Sequence, residues 1–316
     1  MDRLITSVPG MEHILRCRDL PSFCQKIDER DPQQLPLPVR QTHHSGRAQA
    51  LIFNTFEDLE GPIISHIRTH CNPNTYSIGP LHAHLNLRLS KEKSSTRDDD
   101  SSSTTLFELD RNCMAWLDSQ PLKSVIYVSF GSITVMTKHD LMEFWHGLVN
   151  SNKRFLWVIR PDLVAGEGGV GDQVTAELMA ATREGGYMVG WVPQEEVLVH
   201  KAVGGFLTHS GWNSTLESVV AGVPMICWPY FGDQQINSRY VGEVWKIGID
   251  MKDFFDRKVV EKMVNDLMVE RREEFERSTA EMARLARESV SVGGSSYCNF
   301  DQLVEDIIRL TSKEIS

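Results

Sequence analysis

Residues 191–234 read WVPQEEVLVHKAVGGFLTHSGWNSTLESVVAGVPMICWPYFGDQ, and their types and order suggest capture of an anion carried on a sugar. An apolar strand over residues 205–208 ends in His209-Ser210-Gly211-Trp212-Asn213-Ser214 and gives way to an amphipathic helix over 214–220. A strand feeding a glycine-containing turn and then a helix aims unpaired N–H groups and the positive end of the helix dipole at one point. Ser210, Gly211 and Ser214 are small enough to let the backbone approach closely, while Asn213 and Ser214 can cap the helix or donate directly. The ligand this implies is a phosphate or diphosphate. Glu217 follows one turn later, placed to accept from sugar hydroxyls. Asp233 and Gln234 close the next strand–loop connection, at the edge where α/β sheets bind ligands, and Trp191 offers a flat face for a base.

Taken singly, each residue has a plainer role. Trp191 reads as a core aromatic, His209 as a satisfied histidine, Glu217 as a solvated helix residue, and Asp233 as the N-cap of a helix over 235–245. Their occurrence together at fixed spacing favours the site.

The elements that must position them alternate. Apolar strand runs are expected at 125–130, 155–159, 187–189, 205–208, 224–228 and 247–249. Helical patterns run through Leu141 to Val149 and over 214–220, 235–245, 259–269 and 275–289. That alternation predicts an α/β fold with a parallel sheet covered on both faces. Upstream the signal is sparser, with short strands at 50–53 and 76–78 around a helix at 58–69 that must hold Pro62 in its first turn. Residues 90–105, SKEKSSTRDDDSSSTT, lack large apolar side chains and read as a linker.

Composition narrows the class. The chain has 316 residues, more than one hydrophobic core usually serves, so two domains are expected. With 33 basic against 43 acidic side chains the formal charge is -10, which makes nucleic acid and anionic membranes poor partners. Cys17, Cys24, Cys71, Cys113, Cys227 and Cys298 are scattered, with no metal-ligand spacing, so reduced thiols and no metal site are expected. No membrane span is expected, because the longest apolar stretch, 219–231, is interrupted by Gly222, Pro224 and Pro229. The opening MDRLITSVPG lacks a secretory apolar run, so a cytoplasmic location is expected. Gly166-Glu167-Gly168-Gly169-Val170-Gly171 matches the dinucleotide pattern literally. However, residues 161–165 separate it from the preceding strand, so a Gly-rich loop is the better reading than an NAD site.

The 44-residue stretch resembles the signature box of the plant UDP-dependent small-molecule glycosyltransferases. The likeness extends to SVIYVSFGS at 124–132, FLWVIRPD at 155–162, NTFEDLEGP at 54–62 and IGPL at 78–81. It implies two Rossmann-like domains of the glycosyltransferase-B type, the N-terminal one incomplete. Residues 1–89 would be a remnant of the acceptor-binding domain, 90–105 the linker, and 106–316 the UDP-sugar-binding domain. By the same resemblance Trp191 stacks on uracil and the backbone of Val192, where the family more often has Ala, meets the base edge. Gln194 and Glu217 hold the ribose. Ser132, His209, Asn213 and Ser214 meet the diphosphate, and Trp212, Asp233 and Gln234 address the hexose. Gln in the last position is similar to glucose-using members, so UDP-glucose is the implied donor, with no cofactor and no metal.

The implied reaction is an inverting transfer of glucose to a hydroxyl or carboxyl of a small plant metabolite. Its general base is a family histidine that follows the first strand of the N-terminal domain. Among the eleven histidines none has that context, so no catalytic residue is assigned and the chain is expected to retain mainly the donor-binding half. The alternative is a catalytically silent nucleotide-sugar-binding or interaction protein. Residues 8–24 and 78–85 look like the subgroup that glucosylates monoterpenoid iridoids, such as 7-deoxyloganetic acid glucosyltransferases.

Overall fold

A computed structural model of the chain describes residues 2–21, 24, 36–92, 108–164, 178, 182, 185–251 and 255–314. The chain forms two compact units, one from Ser102–Ala280 and the other from Met1–Ser101 with Glu281–Ser316.

The first of these units is built on six parallel strands. They are β3 (Val125–Ser129), β4 (Arg154–Val158), β5 (Gly186–Val189), β6 (Val203–Thr208), β7 (Met225–Cys227) and β8 (Gly248–Asp250). Their order across the sheet is β5-β4-β3-β6-β7-β8, with every neighbouring pair parallel. All five residues of β3 are buried, which explains why its sequence is a continuous apolar run rather than an alternation. On one face the helix Lys138–Asn150 starts at a capping box. Thr137 Oγ1 accepts from the Asp140 N–H, and Asp140 Oδ2 accepts from the Thr137 N–H, both at 3.1 Å. Its Gly147 lets the helix Arg257–Asn265 come close, since a Cβ there would lie 2.5 Å from that of Val260. Glu143 fixes the same helix through a hydrogen bond from the Arg257 N–H at 2.7 Å and contacts with its guanidinium, which hold the carboxyl down at about 2. Phe130, Phe144, Phe155 and Trp157 fill the core between them.

The second unit holds β1 (Leu51–Phe53) and β2 (Thr75–Ser77), a parallel pair joined through the helix Glu57–His70. That helix breaks at Glu60 (φ -131°) and resumes, so Pro62 occupies the first turn of the resumed segment, where its missing N–H is harmless. The last helix, Ser295–Glu314, packs on β2. Leu303 is buried with Tyr76 and Ile78, the Tyr76 hydroxyl donates to Asp306 Oδ2 at 2.6 Å, and Ser296 Oγ donates to the Gly79 carbonyl at 2.6 Å.

All eight expected strands form within one or two residues of their expected limits. The domain limits differ. Residues 281–316 cluster with the first hundred residues rather than with the expected 106–316 block, and the last helix packs Leu303 and Phe300 on Tyr76 and Ile78 while Val304, Ile307, Ile308 and Leu310 stay exposed. Of the expected linker, residues 90–92 end the helix Leu81–Glu92, while 93–105 lie outside the described residues, as does the glycine-rich loop 166–171. The pattern over 235–245 becomes the helix Gln234–Arg239 followed by a wide π-type turn, Tyr240–Val244. All six cysteines are free thiols. Among the described residues no helix is long and apolar enough to cross a membrane, and no cluster of three His, Cys, Asp or Glu side chains forms.

Candidate functional site

The strand order reverses at β3 and β6, whose following connections leave the carboxyl edge of the sheet side by side. That crevice is where doubly wound sheets bind ligands. After β3 the chain turns at Gly131, with φ +71°, into exposed Ser132. After β6 it runs through His209 and then Ser210, a buried non-glycine residue at φ +63°. Backbone held in this sparsely populated region is characteristic of functional turns. The His209 ring is wedged between the two turns. A Cβ on Gly131 would fall 2.5 Å from it and one on Gly211 2.4 Å. Burial pushes the His209 pKa down to about 4, so the imidazole is neutral near pH 7 and presents one donor and one acceptor nitrogen.

Gly211 is the N-cap of the helix Trp212–Ala221, in extended backbone and with no side-chain cap. The first helical hydrogen bond runs from the Thr215 N–H to the Gly211 carbonyl at 2.9 Å, so the N–H groups of Asn213 and Ser214 precede the intrahelical ladder at this terminus. Asn213 is exposed there and Ser214 is buried. Gly222, at φ +70°, ends the helix. This is an anion-binding terminus made from backbone, which an overall charge of -10 does not oppose.

Behind the helix lies a buried polar chain. Gln194 opens the short helix Gln194–Leu198, and its Nε2 donates to Ser214 Oγ at 2.9 Å and to Glu217 Oε2 at 2.5 Å. The Tyr127 hydroxyl, from β3, donates to Gln194 Oε1 at 3.0 Å. Burial raises the Glu217 carboxyl to about 7, with the Gln194 hydrogen bond opposing it only in part. A solvated helix position would not do this. Trp191 and Val192 immediately precede Pro193. The Trp191 carbonyl accepts from the Asp110 N–H at 3.0 Å, its ring is half-buried, and the Val192 side chain is buried.

The third loop follows β7. Asp233 is the N-cap residue of its helix by position, but its backbone is already helical and its side chain caps nothing. Instead Oδ2 accepts from Asn237 Nδ2 at 3.0 Å, and the same amide group donates to the Ser210 carbonyl at 3.0 Å. Gln234 is 4% exposed and turned inward, its Oε1 accepting from the N–H groups of Tyr230 (2.8 Å) and Phe231 (3.0 Å). Trp212 is half-buried, its ring 6.2 Å from that of Trp245.

The residues singled out in the sequence thus follow β3, β5, β6 and β7, and hydrogen bonds tie the turn after β5 to the helix after β6 through Gln194, Ser214 and Glu217. Sequence reasoning passed over three that hold the site. Tyr127 and Asn237 are polar groups whose partners come from other elements. Arg160 is 2% exposed and donates to the Thr134 carbonyl at 2.7 Å, tying down the loop that carries Ser132. Only the charge at the end of an apolar run, in FLWVIRPD, pointed to it.

Comparison with known proteins shows the family and the fold. A family model described as UDP-glucoronosyl and UDP-glucosyl transferase matches residues 108–268. The chain is 58% identical over 307 residues to a 7-deoxyloganetic acid glucosyltransferase of Catharanthus roseus, a match covering 97% of this chain and 62% of the relative. It is 48% identical over 313 residues to a myricetin 3-O-rhamnoside 1,2-glucosyltransferase of Crocosmia x crocosmiiflora, covering 98% and 62%. Among solved structures, Os79 from O. sativa in complex with UDP superposes with a TM-score of 0.81 at 32% identity, over 95% of this chain and 64% of that one. The chain thus spans about six-tenths of the length of these relatives, and the fold is α/β of the glycosyltransferase-B type with Rossmann-like units. The family model covers β3 to β8 and every residue of the crevice, and on that match the chain belongs to the UDP-glucoronosyl and UDP-glucosyl transferase family.

Proposed function

We propose that the crevice at the ends of β3 and β6 binds UDP-glucose. In this reading the protein transfers the glucose, with inversion, to a small plant metabolite. The uncapped N-terminus of the helix Trp212–Ala221 at the topological switch point is the observation that carries it. The backbone N–H groups of Asn213 and Ser214, with the side chains of Ser132 and Asn213 and neutral His209, would take the diphosphate. These groups also favour departure of UDP, because negative charge grows on the leaving diphosphate as the acceptor oxygen attacks the anomeric carbon. Trp191 stacks on the base with the Val192 backbone at its edge, Glu217 with Gln194 and Ser214 addresses the ribose, and Trp212, Asp233 and the amide nitrogen of Gln234, whose Oε1 is spent on the Tyr230 and Phe231 N–H groups, address the hexose. The name of the Catharanthus relative supports a monoterpenoid acid as the acceptor. We also propose a cytoplasmic setting, which the six free thiols support. No general base is assigned.

Calorimetry with UDP tests the donor site. The chain is expected to bind UDP, and Trp191→Ala is expected to weaken binding about 10- to 100-fold, the range for losing one base–aromatic stack. Unchanged affinity in that variant would remove Trp191 from the site. Absence of UDP binding by the unmodified chain would end the proposal.

A further inference from the structure

The resemblance gives Gln194 and Glu217 equal parts in holding a ribose, but the hydrogen bonds divide the labour differently. Gln194 spends its Nε2 hydrogens on Ser214 Oγ at 2.9 Å and Glu217 Oε2 at 2.5 Å, and its Oε1 accepts from the Tyr127 hydroxyl at 3.0 Å. Both ends of the amide are therefore engaged by protein. A primary amide has two faces of similar shape, and which one meets Glu217 decides whether that contact is attractive. Above pH 7, where Glu217 is ionised, an Oε1 turned toward it would set two acceptors against each other, and the calorimetry below is therefore run at pH 8. The Tyr127 ring is 1% exposed and stacked on Phe206, with centroids 4.9 Å apart and planes 18° apart, so the hydroxyl sits at a fixed point on the rigid central strand. Burial raises its pKa, so it stays protonated and donates. It thereby selects the orientation in which Nε2 faces Ser214 and Glu217.

We propose that Tyr127 is a positioning residue for the donor nucleotide: by anchoring the Gln194 amide it holds the Glu217 carboxylate, one of whose oxygens Gln194 does not reach, toward a vicinal diol. This rests on the donor-site reading above. Gln194 then acts mainly by orienting Glu217, and discrimination between a ribose and a sugar without hydroxyls depends on a phenol that touches neither.

The test uses the 316-residue chain, with UDP and 2′,3′-dideoxy-UDP as probes in calorimetry, and a double-mutant cycle between Tyr127→Phe and Gln194→Ala. The unmodified chain is expected to prefer UDP. Tyr127→Phe keeps the ring and is expected to weaken UDP about three- to tenfold, the scale of one hydrogen bond, while dideoxy-UDP affinity stays unchanged. In the Gln194→Ala background the same substitution is expected to cost nothing more. Equal weakening of both nucleotides, or an undiminished cost in the Gln194→Ala background, would overturn the inference. If Tyr127→Phe melts early, Gln194→Ala alone decides: a diol preference that survives it refutes the relay. A chain that binds both nucleotides equally also refutes the relay and leaves the donor site standing, whereas one that binds neither refutes the donor site itself.

Discussion

Glu217→Gln is expected to make the ligand-free chain more stable than the unmodified one at pH 8, by about 3 kcal/mol, and to bind UDP more weakly. Burial moves the Glu217 carboxyl from its ordinary 4.5 to about 7. Between those values the unfolded chain has released the proton and the folded chain has kept it. Folding stability therefore falls as pH rises from 4.5 to 7, and the whole loss is in place above 7. His209 works the other way. Its pKa drops from 6.5 to about 4, so between pH 4 and 6.5 the unfolded chain is the one that binds the extra proton, and stability rises with pH there. The two shifts are similar in size, and each corresponds to about 3 kcal/mol. Through the shared window, pH 4.5 to 6.5, they cancel. The unmodified chain is then nearly level in these two contributions, with a small further loss between 6.5 and 7. Gln at position 217 removes one arm and unmasks the other. Melting temperature should climb from pH 4 to 6.5 in the variant and exceed that of the unmodified chain at pH 8 by about 6–12 °C. UDP affinity should fall about tenfold or more, since an amide accepts from sugar hydroxyls less strongly than a carboxylate. Identical melting curves at pH 8 would mean that Glu217 carries no buried charge. A residue that costs stability in the free chain and repays it on binding is what a ligand contact looks like, as opposed to a packing residue.

What the sequence disclosed and what it withheld divide along physical lines. The strands were legible because a sheet covered on both faces writes itself as uninterrupted apolar runs, as in β3, and the runs at 125–130, 155–159, 187–189 and 224–228 are soon followed by a glycine or a proline. The helix Trp212–Ala221 was legible because Gly211 and Gly222 bracket it. The tail was not. The helix Ser295–Glu314 is amphipathic, but periodicity states only that one face is buried, not that the surface burying it lies more than two hundred residues earlier in the chain, at Tyr76 and Ile78. The site shows the same split. Positions that follow one another, from His209 to Glu217, were found from spacing. Tyr127, Arg160 and Asn237 were missed because a side chain that acts by reaching another strand leaves no local signature. Asp233 was half-read: the sequence placed it at the head of a helix, and only the fold shows its carboxylate on Asn237 instead of on the helix N-terminus.

The closest steric margin in the crevice yields the other large effect. Gly131 and Gly211 approach the His209 ring from two turns, and alanine at either position would place a Cβ about 2.5 Å or less from ring atoms. The half-buried ring is hemmed in by both turns and cannot swing away freely, so each substitution should cost about 1–3 kcal/mol for overpacking. The backbones differ, however. Gly211 sits at φ -61° and ψ 143°, which alanine adopts without strain, whereas Gly131 sits at φ +71° and adds about 1–2 kcal/mol for a left-handed conformation. Removing the ring separates the two terms. In a His209→Ala background Gly211→Ala should cost almost nothing, while Gly131→Ala should keep its backbone part. Thermal melting of the three single and two double variants measures this directly. With the ring in place, either alanine should also weaken UDP more than tenfold, because the imidazole and the helix N-terminus are displaced together. Were Gly211→Ala equally costly with and without the ring, His209 would not be what the glycines make room for. The reason for small residues on both turns would then lie in a ligand's own approach to the backbone, and the same variants would show it as affinity lost to the same extent with and without the ring.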